Sequence, residues 1–423
     1  MTNGTSESRT DRYMDFSRRR YLKTATAAGV GVTGLSGCLD SLGGGQTNPI
    51  KVGFASALTG PYDAEAEAQR QGAELAIKEI NNNGGIDGRD VELIVRDTEL
   101  NPDTASRRVQ DLTQNENVDM LTGSISGGII VIFNNLAKSA GIPMFAGPTG
   151  MRTLRQAENY YEGTFAKFVQ SHQYARAIPT FIEEELGAKS VFGMYADYSW
   201  GQEIWDLSST WYEENTNVSV EGVTTHPLGH SDFASQINEA RESGADVLHV
   251  TNFGTDTSNS LKQMREFELT EDMTLVFTMS GMGIARRAGK EAWEDVYVGM
   301  QWHPDVDTSA TEEFNRKLDE EFGVFGDAYH ETPYVNLHEF KRGAEAGGSV
   351  AMEDIVSGLR GTEFNYLKGQ ERWRECDNQS VQEFYILKGK PISEQENEND
   401  IFDIEAGIGG TNLMPDCSYV GWE

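Results

Sequence analysis

A chain of 423 residues carries 67 acidic against 35 basic side chains, a formal net charge of −32. That excess repels phosphate backbones and anionic headgroups and excludes nucleic acid as a partner. The carboxylates are dispersed and build no EF-hand loop, so the charge reads as a halophile's solvated surface, whose self-repulsion is screened where the Debye length shrinks to about 3 Å at 1 M salt.

The chain opens on an export signal. Ser17-Arg18-Arg19-Arg20-Tyr21-Leu22-Lys23 has the pattern of the twin-arginine (Tat) route, and a weakly apolar run over 25–35 leads into Leu35-Ser36-Gly37-Cys38. The run is shorter than the ~20 apolar residues of a bilayer span. Its last four residues resemble the lipobox of prokaryotic lipoproteins, here of the haloarchaeal, Tat-exported type. The resemblance implies that 1–37 are a signal peptide, that Cys38 carries the lipid, and that 38–49 are a tether on the outer face of the cytoplasmic membrane. Gly29-Val30-Gly31-Val32-Thr33-Gly34 spells a dinucleotide fingerprint, but no strand precedes it, so no cofactor is expected. Residues 38–423 keep 29 basic and 64 acidic side chains, a net −35.

Beyond the Gly-rich segment 42–48, apolar periodicity predicts a strand over 50–55 and a helix over 69–82, with Ala73, Ala76, Ile77 and Ile80 on one face. There follow a strand over 91–96, a helix over 102–114 opened by Pro102, a strand over 120–122, a helix over 129–140 and a strand over 143–146. The rhythm resumes with strands over 190–195, 219–224, 247–251 and 274–277, separated by helices over 202–212, 233–243 and 258–267. The alternation specifies α/β architecture with parallel sheets. Roughly 370 residues exceed one core and predict two domains. No Pro/Ser-rich linker divides them, which points to lobes joined by crossovers at strand ends with a ligand cleft between.

Leu58-Thr59-Gly60-Pro61-Tyr62, Gly72-Ala73-Glu74-Leu75-Ala76, the run Glu79 to Arg89 through Asn83-Gly84-Gly85-Ile86-Asp87-Gly88, and Val91-Glu92-Leu93 resemble the opening of the type I periplasmic binding proteins of the branched-chain amino-acid class, solute receptors of ABC importers. Gly141-Ile142-Pro143, Asp197-Tyr198-Ser199-Trp200-Gly201-Gln202, Asp232-Phe233 and Gly244-Ala245-Asp246-Val247 extend the likeness, and Glu375 to Gln382 resembles a branch that includes receptors for other carboxylates. The resemblance implies two Rossmann-like lobes on a multi-crossover hinge, with 50–165 and 297–375 as lobe 1, 166–296 and 376–400 as lobe 2, and 401–423 as a C-terminal tail. It also implies a monomer that hands a small-molecule solute to ABC permease subunits in the membrane. The Gly84-Gly85 corner itself reads as a helix cap and turn into the next strand, fold-specifying and away from any ligand.

Gly123-Ser124-Ile125-Ser126-Gly127-Gly128 exposes backbone N–H groups at a helix start, an arrangement suited to a carboxylate, although a serine there also serves as a plain N-cap. By resemblance, Ser126 and Gly127, with Thr149 and Gly150 after the next strand, grip the ligand, while Tyr198, Trp200 and Phe253 stack across it from lobe 2. The family's lobe 2 carboxylate that pairs with a ligand ammonium falls on Ser280, and a lobe 1 tyrosine falls on Glu65. Either Glu65 is the counter-ion, with Asp63 and Asp256 behind it, or the ligand lacks an ammonium and is an amide, a urea-like solute or a carboxylate. A surface role leaves Glu65 solvated; in the site it must be paired or protonated.

No Gly-x-Ser-x-Gly elbow, His-Glu-x-x-His pair or Walker loop is present, and the seven histidines lack metal spacing, with Pro227 and Gly229 placing His226 and His230 on a loop. The reading is therefore a non-enzyme with no catalytic residue and no metal. Capture by lobe closure for an ABC importer is the expectation, with a sensory receptor of the same fold as the alternative and an exported hydrolase as the third reading. With Cys38 lipidated, Cys376 and Cys417 remain to form one disulfide, closing a loop of about 40 residues and contributing around 4 kcal/mol on the chain-entropy model.

Overall fold

The computed structural model describes residues 48–420. The export signal and the lipidation site Cys38 lie outside them.

Lobe 1 begins with strand β1 (Ile50–Ser56), helix α1 (Asp63–Asn82), β2 (Val91–Asp97), α2 (Pro102–Gln110), β3 (Met120–Gly123), α3 (Gly127–Ala140), β4 (Met144–Ala146) and β5 (Thr164–Ala166). All five strands run parallel in the order β2-β1-β3-β4-β5. Asn101 caps α2 by accepting from Thr104 N at 2.9 Å, and the helix ends in a π-turn over Asp111–Asn115, so the predicted 102–114 segment is helical in two registers. At the Gly84-Gly85 corner both residues take positive φ (91° and 73°), and Gly85 N donates to Ile80 O.

Lobe 2 follows: α4 (Ser171–Glu184), β6 (Ser190–Ala196), α5 (Ser199–Asn215), β7 (Ser219–His226), α6 (Ala234–Ser243), β8 (Val247–Thr251), α7 (Thr255–Glu266), β9 (Thr274–Phe277), α8 (Met282–Ala288) and β10 (Tyr297–Met300). The chain then returns to lobe 1 with α9 (Ser309–Phe322), α10 (Ala328–Gly347), which packs along α1, and α11 (Met352–Leu359). A small antiparallel sheet, β11 (Glu363–Tyr366), β12 (Gly369–Trp373) and β13 (Ser380–Val381), precedes the hairpin β14 (Glu383–Gly389) and β15 (Phe402–Gly409). The second large sheet has the order β15-β14-β10-β9-β8-β6-β7, with the hairpin antiparallel at its edge. No helix among the described residues is long and apolar enough to cross a membrane.

Two boundaries differ from the sequence reading. Tyr297–Met300, expected in lobe 1, pairs with β9 and β14, and the expected tail holds β15, which pairs with β14 along its length. Phe402, Ile404, Ala406 and Ile408 alternate with polar or small residues, the period-2 pattern of an edge strand. Cys376 and Cys417 form a disulfide with Cα atoms 5.9 Å apart.

Three crossovers join the lobes, after β5, after β10 and between β13 and β14, and each places a buried polar side chain at the seam. Lys167 Nζ lies 2.7 Å from Glu331 Oε1 and 2.8 Å from Glu371 Oε1, and donates to Gln382 Oε1 at 3.2 Å. Gln301 accepts from Val169 N at 3.0 Å and donates to Glu331 Oε2 at 2.7 Å. Lys368 Nζ donates to the carbonyls of Gln301 and Glu383 and to Gln382 Oε1. Gln379 Nε2 donates to Phe168 O at 2.7 Å. This network ties the crossovers to α10 and β12.

Candidate functional site

In doubly wound sheets, ligands sit beyond the carboxyl ends of the strands where the strand order reverses. In lobe 1 that point lies between β1 and β3, and in lobe 2 between β6 and β8. The loops there face one another across a cavity of about 250 Å³, below the roughly 300–1,000 Å³ of drug-sized pockets and scaled for a small solute. Seven residues chosen from the sequence line it: Ser126, Gly127, Thr149 and Gly150 from lobe 1, and Tyr198, Trp200 and Phe253 from lobe 2.

Local chemistry explains the lobe 1 wall. Ser124 takes the left-handed conformation (φ 71°) and turns the chain so that Ser126 becomes the N-cap residue of α3. Ser126 makes no side-chain cap bond, so its hydroxyl is not consumed as a plain N-cap; Ile129 N and Ile130 N donate to Ser126 O, which leaves the N–H groups of Gly127 and Gly128 as the donors at the helix start. A Cβ on Gly127 would stand 1.8 Å from Met151 Sδ, so a larger residue there would have to displace that side chain.

The lobe 2 wall is aromatic. Tyr198 is the N-cap residue of α5, and Trp200 lies in its first turn. Ring centroids are 6.1 Å apart for Tyr198 and Trp200, 6.4 Å for Trp200 and Phe253, and 6.1 Å for Phe253 and Tyr329. Tyr62, after β1, meets Phe253 edge-on at 5.3 Å across the cleft. Burial pushes the Tyr62 phenol up to about 12 and those of Tyr198 and Tyr329 well above their ordinary value, so all three remain protonated.

The lobes are closed on one another. Gly254 has φ 61°, and a Cβ there would lie 2.9 Å from the Tyr62 ring. Arg152 N, after β4, donates to Glu203 Oε1 on α5 at 3.0 Å. Asp327 Oδ2 accepts from Met282 N at 2.5 Å and Gly283 N at 3.3 Å, so the N-cap residue of α10 also caps α8.

Two of the nine expected ligand residues stand apart. Ser280 is buried beyond β9, its N–H on Gly299 O and its hydroxyl on Gly281 O at 3.3 Å. Glu65, in the first turn of α1, lies on the far side of Tyr329, lining a second cavity of about 230 Å³ with Asp327, Arg286, Gln71 and His330. It is 3 % exposed, neither carboxylate oxygen has a hydrogen-bond partner, and burial pushes its carboxyl up to about 7. Glu65 is thus neither solvated nor paired. Of the other counter-ion candidates, Asp63 is exposed and Asp256 accepts from Gly229 N at 2.9 Å; neither lines the cleft.

Sequence reasoning missed Tyr62, Met151, Phe168, Met279 and Tyr329, which also line the cavity. Tyr62 had a signal, since it precedes α1 at the lobe 1 switch point as Tyr198 precedes α5 in lobe 2. Tyr329 had none, because it arrives on the return crossover. No group of three or more potential metal ligands occurs among the described residues.

This geometry agrees with the comparisons to known proteins. A Leu/Ile/Val-binding protein homolog of Brucella abortus is 25% identical over 227 residues, 51% of this chain, and the match spans only 55% of that relative's length. A solved amino acid ABC transporter substrate-binding protein from Pseudomonas fluorescens superposes with a TM-score of 0.82 at 22% identity, covering 89% of this chain and 99% of that one. A solute-binding protein of an ABC transporter from R. palustris, solved in complex with benzoate, gives 0.76 at 19% identity, covering 86% and 97%. The family model of periplasmic binding proteins matches residues 49–396, and the chain belongs to that family.

Proposed function

We propose that the protein is the extracytoplasmic solute receptor of an ABC importer of the branched-chain amino-acid type. In this reading the Tat route exports it, a lipid on Cys38 holds it at the outer face of the membrane, and its acidic surface keeps it soluble in high salt. It works as a monomer that closes two lobes around a branched-chain amino acid or a related amide, urea-like solute or carboxylate, and presents the closed form to the permease. No covalent step is needed: the solute favours closure because only the closed form offers both walls at once.

The observation that carries the reading is the cavity between the two lobes, where seven residues from loops at and beside the two switch points meet. The names of the relatives speak of amino-acid and solute binding in those proteins, and their ligands differ. The test is thermal-shift screening in molar salt against amino acids, short amides, urea and small carboxylates. A solute at 100 times its dissociation constant is expected to stabilise by about 2.7 kcal/mol and to shrink the particle in X-ray scattering. A Ser126→Ala/Trp200→Ala double variant that binds the same solute unchanged overturns the placement of the site. Cys38→Ser is expected to release the protein from membranes; continued membrane retention removes the anchor.

A further inference from the structure

The cleft has a feature that narrows the solute class, an inference that rests on the receptor reading above. None of the side chains lining the cavity is acidic or basic. The nearby carboxylates all stand outside the lining. Asp327 is held by the N–H groups of Met282, Gly283 and Tyr329, and Glu203 by Arg152 and Ser171. Asp256 accepts from Gly229 N through Oδ2 while its buried Oδ1 has no partner, but it stands behind Tyr62 and Tyr198 and does not line the cavity, and Glu65 lines the cavity behind Tyr329. A primary ammonium enclosed here would meet no counter-charge, and burying an unpaired charge is costly.

An anionic group meets the opposite environment. The first turns of α3 and α5 enter the cavity from opposite lobes, each presenting the positive end of a helix dipole. The hydroxyls of Ser126, Thr149 and Ser199 line the same space. The phenol of Tyr329, 1 % exposed and in the wall between this cavity and the one that Glu65 lines, has no hydrogen-bond partner in the protein and is a buried donor within the site. The remaining wall is apolar, built by the rings of Tyr62, Phe168, Tyr198, Trp200, Phe253 and Tyr329. Rings alone can cage a cation, but two helix N-termini at the same cavity oppose one.

We propose that the cleft selects a small monocarboxylate with an apolar or aromatic body and no ammonium group, and rejects the corresponding α-amino acid. The carboxylate lies between the α3 and α5 N-termini, and the body lies among the rings. Specificity comes from what is missing: the site is built for a charge of one sign and provides nothing for the other.

The test is calorimetric titration of the full chain with a matched set. 4-Methylpentanoate and leucine differ only by the amine, 4-methylpentanamide removes the negative charge, benzoate replaces the body with a flat ring, and trimethylammonioacetate offers a cation to the rings. The carboxylates are expected to bind about tenfold or more tighter than leucine and than the amide, and Ser126→Ala is expected to weaken 4-methylpentanoate more than the amide. Leucine or trimethylammonioacetate binding as tightly as 4-methylpentanoate overturns the proposal, as does an amide equal to the acid. If neither carboxylate binds but another solute in a broad screen does, the ligand class falls and the receptor reading stands; if no solute closes the lobes, both fall.

Discussion

Phe168 faces a cavity that no charged side chain lines, while its chain neighbour Lys167 sits in a hinge where two lysines and two glutamates are sealed from water. Both regions lie between the lobes, yet charge is excluded from the lining of one and concentrated in the other. The difference follows from who supplies the partner. In the hinge Lys167 meets Glu331 and Glu371, and Lys368 meets three oxygens, so each cation is answered by groups the fold holds in place. In the cleft the partner arrives with the solute, and a charge fixed in the wall would stay unanswered whenever the lobes close on a solute without the opposite charge. Helix termini and hydroxyls cost less to desolvate, and water satisfies them in the open form.

The sharpest way to break this comparison is to remove one hinge charge. Lys167→Met leaves Glu331 and Glu371 buried without their cation and is expected to lower unfolding stability by about 3–5 kcal/mol, read by chemical denaturation without solute. Lys368→Met is expected to cost less, because burial and the neighbouring Lys167 already bring the Lys368 ammonium down to about 7. A Lys167→Met loss under about 1 kcal/mol would show that the hinge charges are not a coupled unit.

The seam between the two regions can be tested through Gly254. Its φ of 61° and the 2.9 Å approach of the Tyr62 ring leave no room for a methyl group in the closed form. Gly254→Ala is expected to weaken solute binding roughly tenfold or more, with a smaller loss of thermal stability in the solute-free protein. If stability falls while affinity holds, Gly254 serves only its own turn and not closure.

What was legible in the sequence divides along the same lines. The β/α rhythm, the glycine corner and the Ser126-Gly127 and Tyr198-Trp200 ends were readable because each depends on neighbours within a few residues, on periodicity, caps and positive φ. Tyr329 was not, since its place in the cleft is set by α10 returning to pack on α1 from more than 200 residues away. Glu65 was misplaced for the same reason: its position in α1 is local, but the space it faces is made by α8 and α10. Strand β15 carries its alternation openly in Phe402, Ile404, Ala406 and Ile408, within the segment expected to be a C-terminal tail. Ser280 was placed by resemblance alone, and the chain between β9 and β10 carries it inward, its N–H on Gly299 O.

Glu65 also gives the seam a pH dependence whose sign can be worked out. In the closed form a Cβ on Gly283 of α8 would lie 3.5 Å from Glu65 Oε1. Burial raises the carboxyl to about 7, with Asp327 and Asp63 adding to the rise and Arg287 opposing it. Opening the lobes carries α8 away from α1 and returns water to the carboxyl, restoring an ordinary carboxylate value. Closure therefore takes up a proton. Its benefit is complete below the open-state value and is lost as pH rises through about 7. Solute affinity is expected to fall roughly tenfold from pH 6 to pH 8, and Glu65→Gln is expected to flatten that profile and keep binding tight at pH 8. His330, which lines the same cavity, is held near 3 by burial and stays neutral throughout this window. Lys368 does titrate there, but the loss of its proton acts on stability measured without solute, which separates the two. A slope that survives unchanged in Glu65→Gln would move the proton to Asp327 or Asp256, buried carboxylates whose values burial also raises.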